Sequence, residues 1–95
     1  MASIERDVKI PNRQGLHARP AMQFVEVAQQ YGSTIEVSNG TRSVDAKSIM
    51  SVMLLAGTQG TVLTIHADGD DAQAAADALV ALVAGGFGEM EDEVG

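Results

Sequence analysis

The chain has 95 residues, a formal net charge of −7 and no cysteine. That length fits one domain with a modest core, and the lack of thiols excludes disulfide frameworks, zinc–thiolate sites and thiol catalysis. The six basic residues (Arg6, Lys9, Arg13, Arg19, Arg42 and Lys47) all fall in residues 1–50 against five acids, while residues 51–95 hold eight acids and no base, a balance that disfavours nucleic-acid binding, which relies on many phosphate-neutralising cations.

Met1–Ile10 is charged and alternating rather than a signal segment. The longest apolar run, Ala78–Ala84, is too short to span a bilayer. A cytoplasmic protein with no membrane insertion is expected. Ile4, Val8 and Ile10 share one parity and predict a strand with one buried face. Pro11 to Gly15 ends it, with Asn12, Arg13 and Gln14 in a loop. From Ala18 the period becomes helical: Ala18, Ala21, Met22, Val25 and Ala28 form the stripe, widened by Phe24 and Val27. Tyr31-Gly32 closes that helix, with Gly32 as the residue after the cap.

Thr34–Ser38 alternates again, with Ile35 and Val37 on one face. Asn39-Gly40 is a short hairpin signal, and Thr41–Asp45 is its return strand. Lys47–Leu55 reads as a short helix with Ser48 in its first turn; about half of Met50, Met53 and Leu54 are expected in the core. Gly57 and Gly60 bracket a turn. Thr61–Ala67 is a fourth strand, Leu63, Ile65 and Ala67 inward and Val62, Thr64 and His66 outward. Asp68 to Asp71 supplies a turn and a helix cap. The last helix runs to about Ala84 on a stripe of Ala72, Ala75, Ala76, Leu79, Leu82 and Val83. Gly85-Gly86 stops it, and the acidic end from Phe87 reads as a loose tail. The order β-α-β-β-α-β-α predicts an α+β fold, a four-stranded sheet covered on one face by three helices. One domain over residues 1–87 and a tail over 88–95 are expected.

Residues 15–21, Gly-Leu-His-Ala-Arg-Pro-Ala, carry the chemistry. Proline is tolerated in a first helical turn, whose N–H groups lack intrahelical acceptors. Those N–H groups and the positive end of the helix dipole make an anion site. An imidazole keeps an unprotonated nitrogen available at neutral pH. His17 beside such a site is therefore a candidate phosphoryl acceptor and donor. The backbone of Ala18 and Arg19 and the Arg19 guanidinium would hold the phosphate, through charge-assisted bonds that arginine offers as a planar fork. A lone histidine would more often cap a helix; Gly15, Arg19 and Pro20 around it favour the chemical role. Ser48 is first a cap and second a regulatory phosphorylation candidate. His66 has no expected role, and no carboxylate spacing supports a metal loop.

The 15–21 segment resembles the active-site signature of HPr, the histidine-containing phosphocarrier family, and Ala46-Lys47-Ser48-Ile49-Met50 resembles that family's serine-site signature. Gly60-Thr61-Val62 and the order of elements agree, over roughly residues 4–87. The resemblance implies an open-faced β-sandwich with an antiparallel sheet. It implies a carrier in the phosphoenolpyruvate-dependent phosphotransferase system, phosphorylated by enzyme I at Nδ1 of His17 and donating to a histidine of an enzyme IIA partner. Arg19 would stabilise the phosphoryl group, Pro20 would shape the turn, and Met22, Ile49, Met50 and Met53 would dock partners. No cofactor is implied, and a monomer is expected. In some lineages a serine kinase modifies the residue matching Ser48, and a transcription regulator reads that mark. Ser51 stands where many such members have glycine. The first helix has no cation after Arg19, and the acidic end resembles the nitrogen-related regulatory branch more than the sugar-uptake branch. Two other readings stand beside the carrier: a small acylphosphatase-like hydrolase using Arg19 and Asn39, and a regulatory interaction module that has lost transfer and acts through Ser48 and the methionine surface.

Overall fold

A computed structural model describes residues 3–13, 15–55 and 57–88. The elements are β1 (Ser3–Lys9), α1 (Ala18–Gln29), β2 (Thr34–Ser38), β3 (Ser43–Asp45), α2 (Ile49–Leu54), β4 (Val62–Asp68) and α3 (Ala72–Ala84), followed by a 3-10 turn at Gly86–Gly88. The sheet order is β1-β4-β2-β3, and every neighbouring pair is antiparallel. The three helices cover one face, giving the open-faced α+β sandwich that the element order predicts.

Alternation decides which face is covered. Leu63, Ile65 and Ala67 of β4 are buried, and the register sets them between Val8, Arg6 and Ile4 of β1 on one side and Val37 and Ile35 of β2 on the other. Arg6 has the parity of the core but sits on an edge strand, and its Nη1 donates to Asp77 Oδ1 of α3 at 2.5 Å. A side chain with a long apolar stem is suited to such an edge position. In α3 the buried Ala72, Ala75 and Ala76 let the helix lie close to the sheet, while Leu79 and Val83 fill the core; Leu82 is half-buried.

Several local expectations are corrected. Ala18 and Met22 face solvent; α1 is anchored instead by Pro20, Ala21, Phe24, Val25 and Ala28. Gly32 is not the left-handed residue after the cap, since α1 ends at Gln30 in a right-handed conformation. The hairpin loop is longer than Asn39-Gly40. Asn39 Oδ1 accepts from the N–H groups of Thr41 and Arg42, so the loop closes through a side chain and β3 begins only at Ser43. Met50, Met53 and Leu54 are all exposed, because Val52 and Leu55 supply the buried contacts of this segment. Phe87 is no tail residue: it is buried in the main core, with φ of 57° between two glycines that also have positive φ. Residues 89–95, most of the expected tail, lie outside the described residues.

Asp71 precedes α3 but does not cap it with its side chain. Its carboxylate accepts from the Ser33 hydroxyl and from the N–H groups of Gly32 and Ser33, which ties the start of α3 to the loop after α1. The Ser33 hydroxyl first, then the Gly32 N–H, hold this carboxyl below its ordinary value. A depressed carboxyl contributes stability in full above the ordinary value and loses it as pH falls through the lowered one. Acidification below about pH 4 therefore lowers the thermal midpoint. In Asp71→Asn the midpoint drops by a few degrees at neutral pH and its acid dependence flattens. Melting curves across that range check this, and an unchanged acid slope would remove Asp71 from the effect.

Candidate functional site

Two loops converge ahead of α1. The Ile10 N–H donates to the Thr61 carbonyl at 2.9 Å, and the Gly60 N–H returns a bond to the Ile10 carbonyl at 2.8 Å. Gln59 Nε2 donates to the Pro11 carbonyl at 3.0 Å. The Leu16 N–H donates to the Gly57 carbonyl at 2.7 Å. Within the first loop, the fully buried Asn12 accepts at its carbonyl from the Gly15 N–H at 3.2 Å, and its Nδ2 donates to the Gly15 carbonyl at 3.0 Å. Gly15 has φ of 65°, and a Cβ there would stand 2.4 Å from the Gly57 carbonyl oxygen. Only a glycine allows so close an approach at this φ.

This brace delivers His17 to the N-cap of α1, in an extended backbone conformation with φ of −94° and ψ of −167°. Its carbonyl accepts the first intrahelical bond, from the Ala21 N–H at 2.9 Å. Its side chain makes no capping bond, so the ring is not spent on the helix end. The N–H groups of Ala18 and Arg19 have no acceptor within the helix, and Pro20 has no N–H. No acidic residue occupies the first turn, so the positive end of the dipole is uncompensated there. The Arg19 side chain is exposed and has no ion pair among the described residues. The first-turn N–H groups and the positive end of the dipole thus adjoin the half-buried His17, with the exposed Arg19 two residues on, a set of the kind that binds an anion.

The other candidates separate. Ser48 is the N-cap of α2 rather than a first-turn residue, and its Oγ accepts from the Ser51 N–H at 3.3 Å. Met22 on α1 and Met50 and Met53 on α2 are exposed, whereas Ile49 is half-buried against the core. A shallow groove of about 210 Å³ between the two helices is lined by Met22, Val25, Glu26, Gln29 and Ile49. Leu54 is 65 % exposed and extends the patch one turn beyond Met50; its spacing of four from Met50 was the available signal. Asn39 is committed to structure, since its Nδ2 also donates to the Leu55 carbonyl at 2.8 Å, which takes it away from the hydrolase role. His66 lies on the uncovered face of the sheet, with Nε2 2.9 Å from Ser3 Oγ. The 57–61 brace was missed in the sequence, because no local pattern marks which loop supports another.

The family model for the phosphorylation site of the phosphotransferase-system HPr component matches residues 4–85. The phosphocarrier protein HPr of Cupriavidus necator is 47 % identical over 88 residues, covering 93 % of this chain and 99 % of its own length. That of Haemophilus influenzae is 51 % identical over 78 residues, covering 82 % and 92 %. Among solved structures, HPr-C-His from Thermoanaerobacter tengcongensis superposes with a TM-score of 0.86 at 45 % identity, covering 90 % of this chain and 97 % of that one. Coverage this complete, over both converging loops and all seven elements, has one meaning: the chain belongs to the HPr family of phosphocarrier proteins of the phosphotransferase system.

Proposed function

We propose that His17 is the carrier residue, accepting a phosphoryl group at Nδ1 from enzyme I and passing it to a histidine of an enzyme IIA protein. The observation that carries this reading is the seat of His17 at the N-cap of α1, its ring uninvolved in capping and the Ala18 and Arg19 N–H groups beside it. In the accepting step the Nδ1 lone pair forms the N–P bond as the bond from phosphorus to the donor atom of enzyme I breaks. The donating step is the reverse toward the IIA histidine. The protein's contribution is position and charge, which is most of what phosphoryl transfer requires. The test is incubation with phosphoenolpyruvate and enzyme I, followed by intact mass, acid lability and peptide mapping. A single acid-labile phosphate on the 15–21 segment supports the reading; an adduct on His66, or none with an enzyme I active on its own carrier, overturns it.

Arg19→Glu places like charge beside the phosphoryl group, so transfer slows by about a hundredfold. Rapid-quench measurement of phosphoryl exchange with enzyme I checks this, and unchanged rates would exclude Arg19 from the site.

The face formed by Met22, Met50, Met53 and the edge of Ile49 is the proposed docking surface for both partners. No cation follows Arg19 along α1, so contact there is mainly apolar. Ser48 opens α2 beside this face, and a phosphate on it would add about −1.5 to −2 charge. Ser48→Asp is expected to slow transfer from enzyme I by about tenfold; a variant as fast as the parent would leave Ser48 as a cap and nothing more.

A further inference from the structure

The chain has no cysteine, so all its sulfur chemistry belongs to methionine. The three described methionines lie on α1 and α2, two helices in contact with each other. Met22 is 52 % exposed, Met50 74 % and Met53 47 %, and none belongs to the core. Met50 and Met53 are one turn apart on α2 and so project from neighbouring positions on one side. Met22 lines the α1–α2 groove together with Ile49, the residue before Met50. The packing beneath them is independent: α1 is held by Pro20, Ala21, Phe24, Val25 and Ala28, and α2 by Val52. Exposed thioethers are open to oxidation, and the sulfoxide is polar where the thioether was apolar.

We propose that Met22, Met50 and Met53 form a peroxide-sensitive modification site that lowers partner docking without disturbing the fold. This rests on the docking role given above to the same face. In each event the thioether sulfur attacks one oxygen of a peroxide. With hydrogen peroxide the S–O bond forms, the O–O bond breaks, and the departing hydroxide takes the proton from the sulfur-bound oxygen, leaving the sulfoxide and one water. The sulfur loses two electrons and the peroxide gains them. A thiol-dependent sulfoxide reductase reverses the change, two thiols becoming a disulfide as the oxygen leaves as water. Leu54, inert to peroxide and 65 % exposed, keeps part of the patch apolar, so docking is weakened rather than abolished.

The test treats the full chain with hydrogen peroxide, removes the oxidant, and maps the sulfoxides by peptide mass. Transfer from untreated enzyme I is then measured with the thermal midpoint. The treated protein loses about tenfold in kcat/KM, mostly through KM, keeps its thermal midpoint, and recovers with sulfoxide reductases. In M22L/M50L/M53L, which retains Met1 and Met90, treatment changes kcat/KM by less than about twofold relative to the same variant untreated. Full oxidation of the three sites with unchanged kinetics overturns the proposal, as does an equal loss in the triple leucine variant. Met50→Glu separates the two layers of the argument. If it slows transfer while oxidation does not, the redox site alone falls; if neither slows transfer, the docking role falls with it.

Discussion

His17→Ala accepts no phosphoryl group from enzyme I, while its circular dichroism matches the parent protein and its thermal midpoint falls by no more than about 4–8 °C. The fold survives because His17 contributes to the helix start through its backbone. Its carbonyl takes the Ala21 N–H, its conformation is extended, and its side chain makes no capping bond. Alanine adopts that conformation and keeps that carbonyl, so the stability change stays within about 1 kcal/mol. The chemistry does not survive, because under the proposed carrier role the Ala18 and Arg19 donors would hold a phosphoryl group without supplying an atom to bond it. His66→Ala is the companion measurement. The second histidine lies on the uncovered sheet face, across from Glu5 and Glu36 in the register, and its loss leaves acceptance at the parent level. Any acid-labile phosphate on His17→Ala would end the assignment of the carrier residue.

The helix start that carries the candidate site was legible because its parts are consecutive. Histidine, arginine and proline within four residues describe a helix start, and local rules suffice to place them. The sheet was legible for a similar reason: Leu63, Ile65 and Ala67 alternate, and their register with β1 and β2 follows. What stayed hidden depends on distant partners. Asp71 reads locally as a cap, but Ser33 and Gly32, nearly forty positions earlier, offer its carboxylate three donors at once. Arg6 interrupts the core parity of β1, and only the position of Asp77 on α3 shows where its charge goes. Phe87 sits among glycines and precedes a run of acids, yet those glycines permit the turn that folds it back into the core. Methionine is ambiguous in a short helix by its nature, being equally at home in a core and at an adaptable surface.

Gly15→Ala tests whether the site depends on the brace between its two loops. Two costs fall on this position. An L-residue at φ of 65° is disfavoured by about 1–2 kcal/mol, and the new Cβ would stand 2.4 Å from the Gly57 carbonyl oxygen and 2.9 Å from the Thr58 Cα. Both neighbours are backbone, so relief requires the 57–61 loop to move. The same Gly57 carbonyl accepts from Leu16, the residue before His17, and its displacement shifts the entry to α1. The expected destabilisation is about 3 kcal/mol, a fall in thermal midpoint of roughly 12–24 °C for a domain of this size. Phosphoryl acceptance by the molecules that remain folded falls with it. Gly40→Ala supplies the contrast. Its φ is 94° but nothing lies within 4 Å of the added carbon, so it carries the conformational cost alone, about 1 kcal/mol, and leaves acceptance unchanged. Equal losses in the two variants would mean that backbone conformation, and not the packing of the two loops, governs the stability of this site.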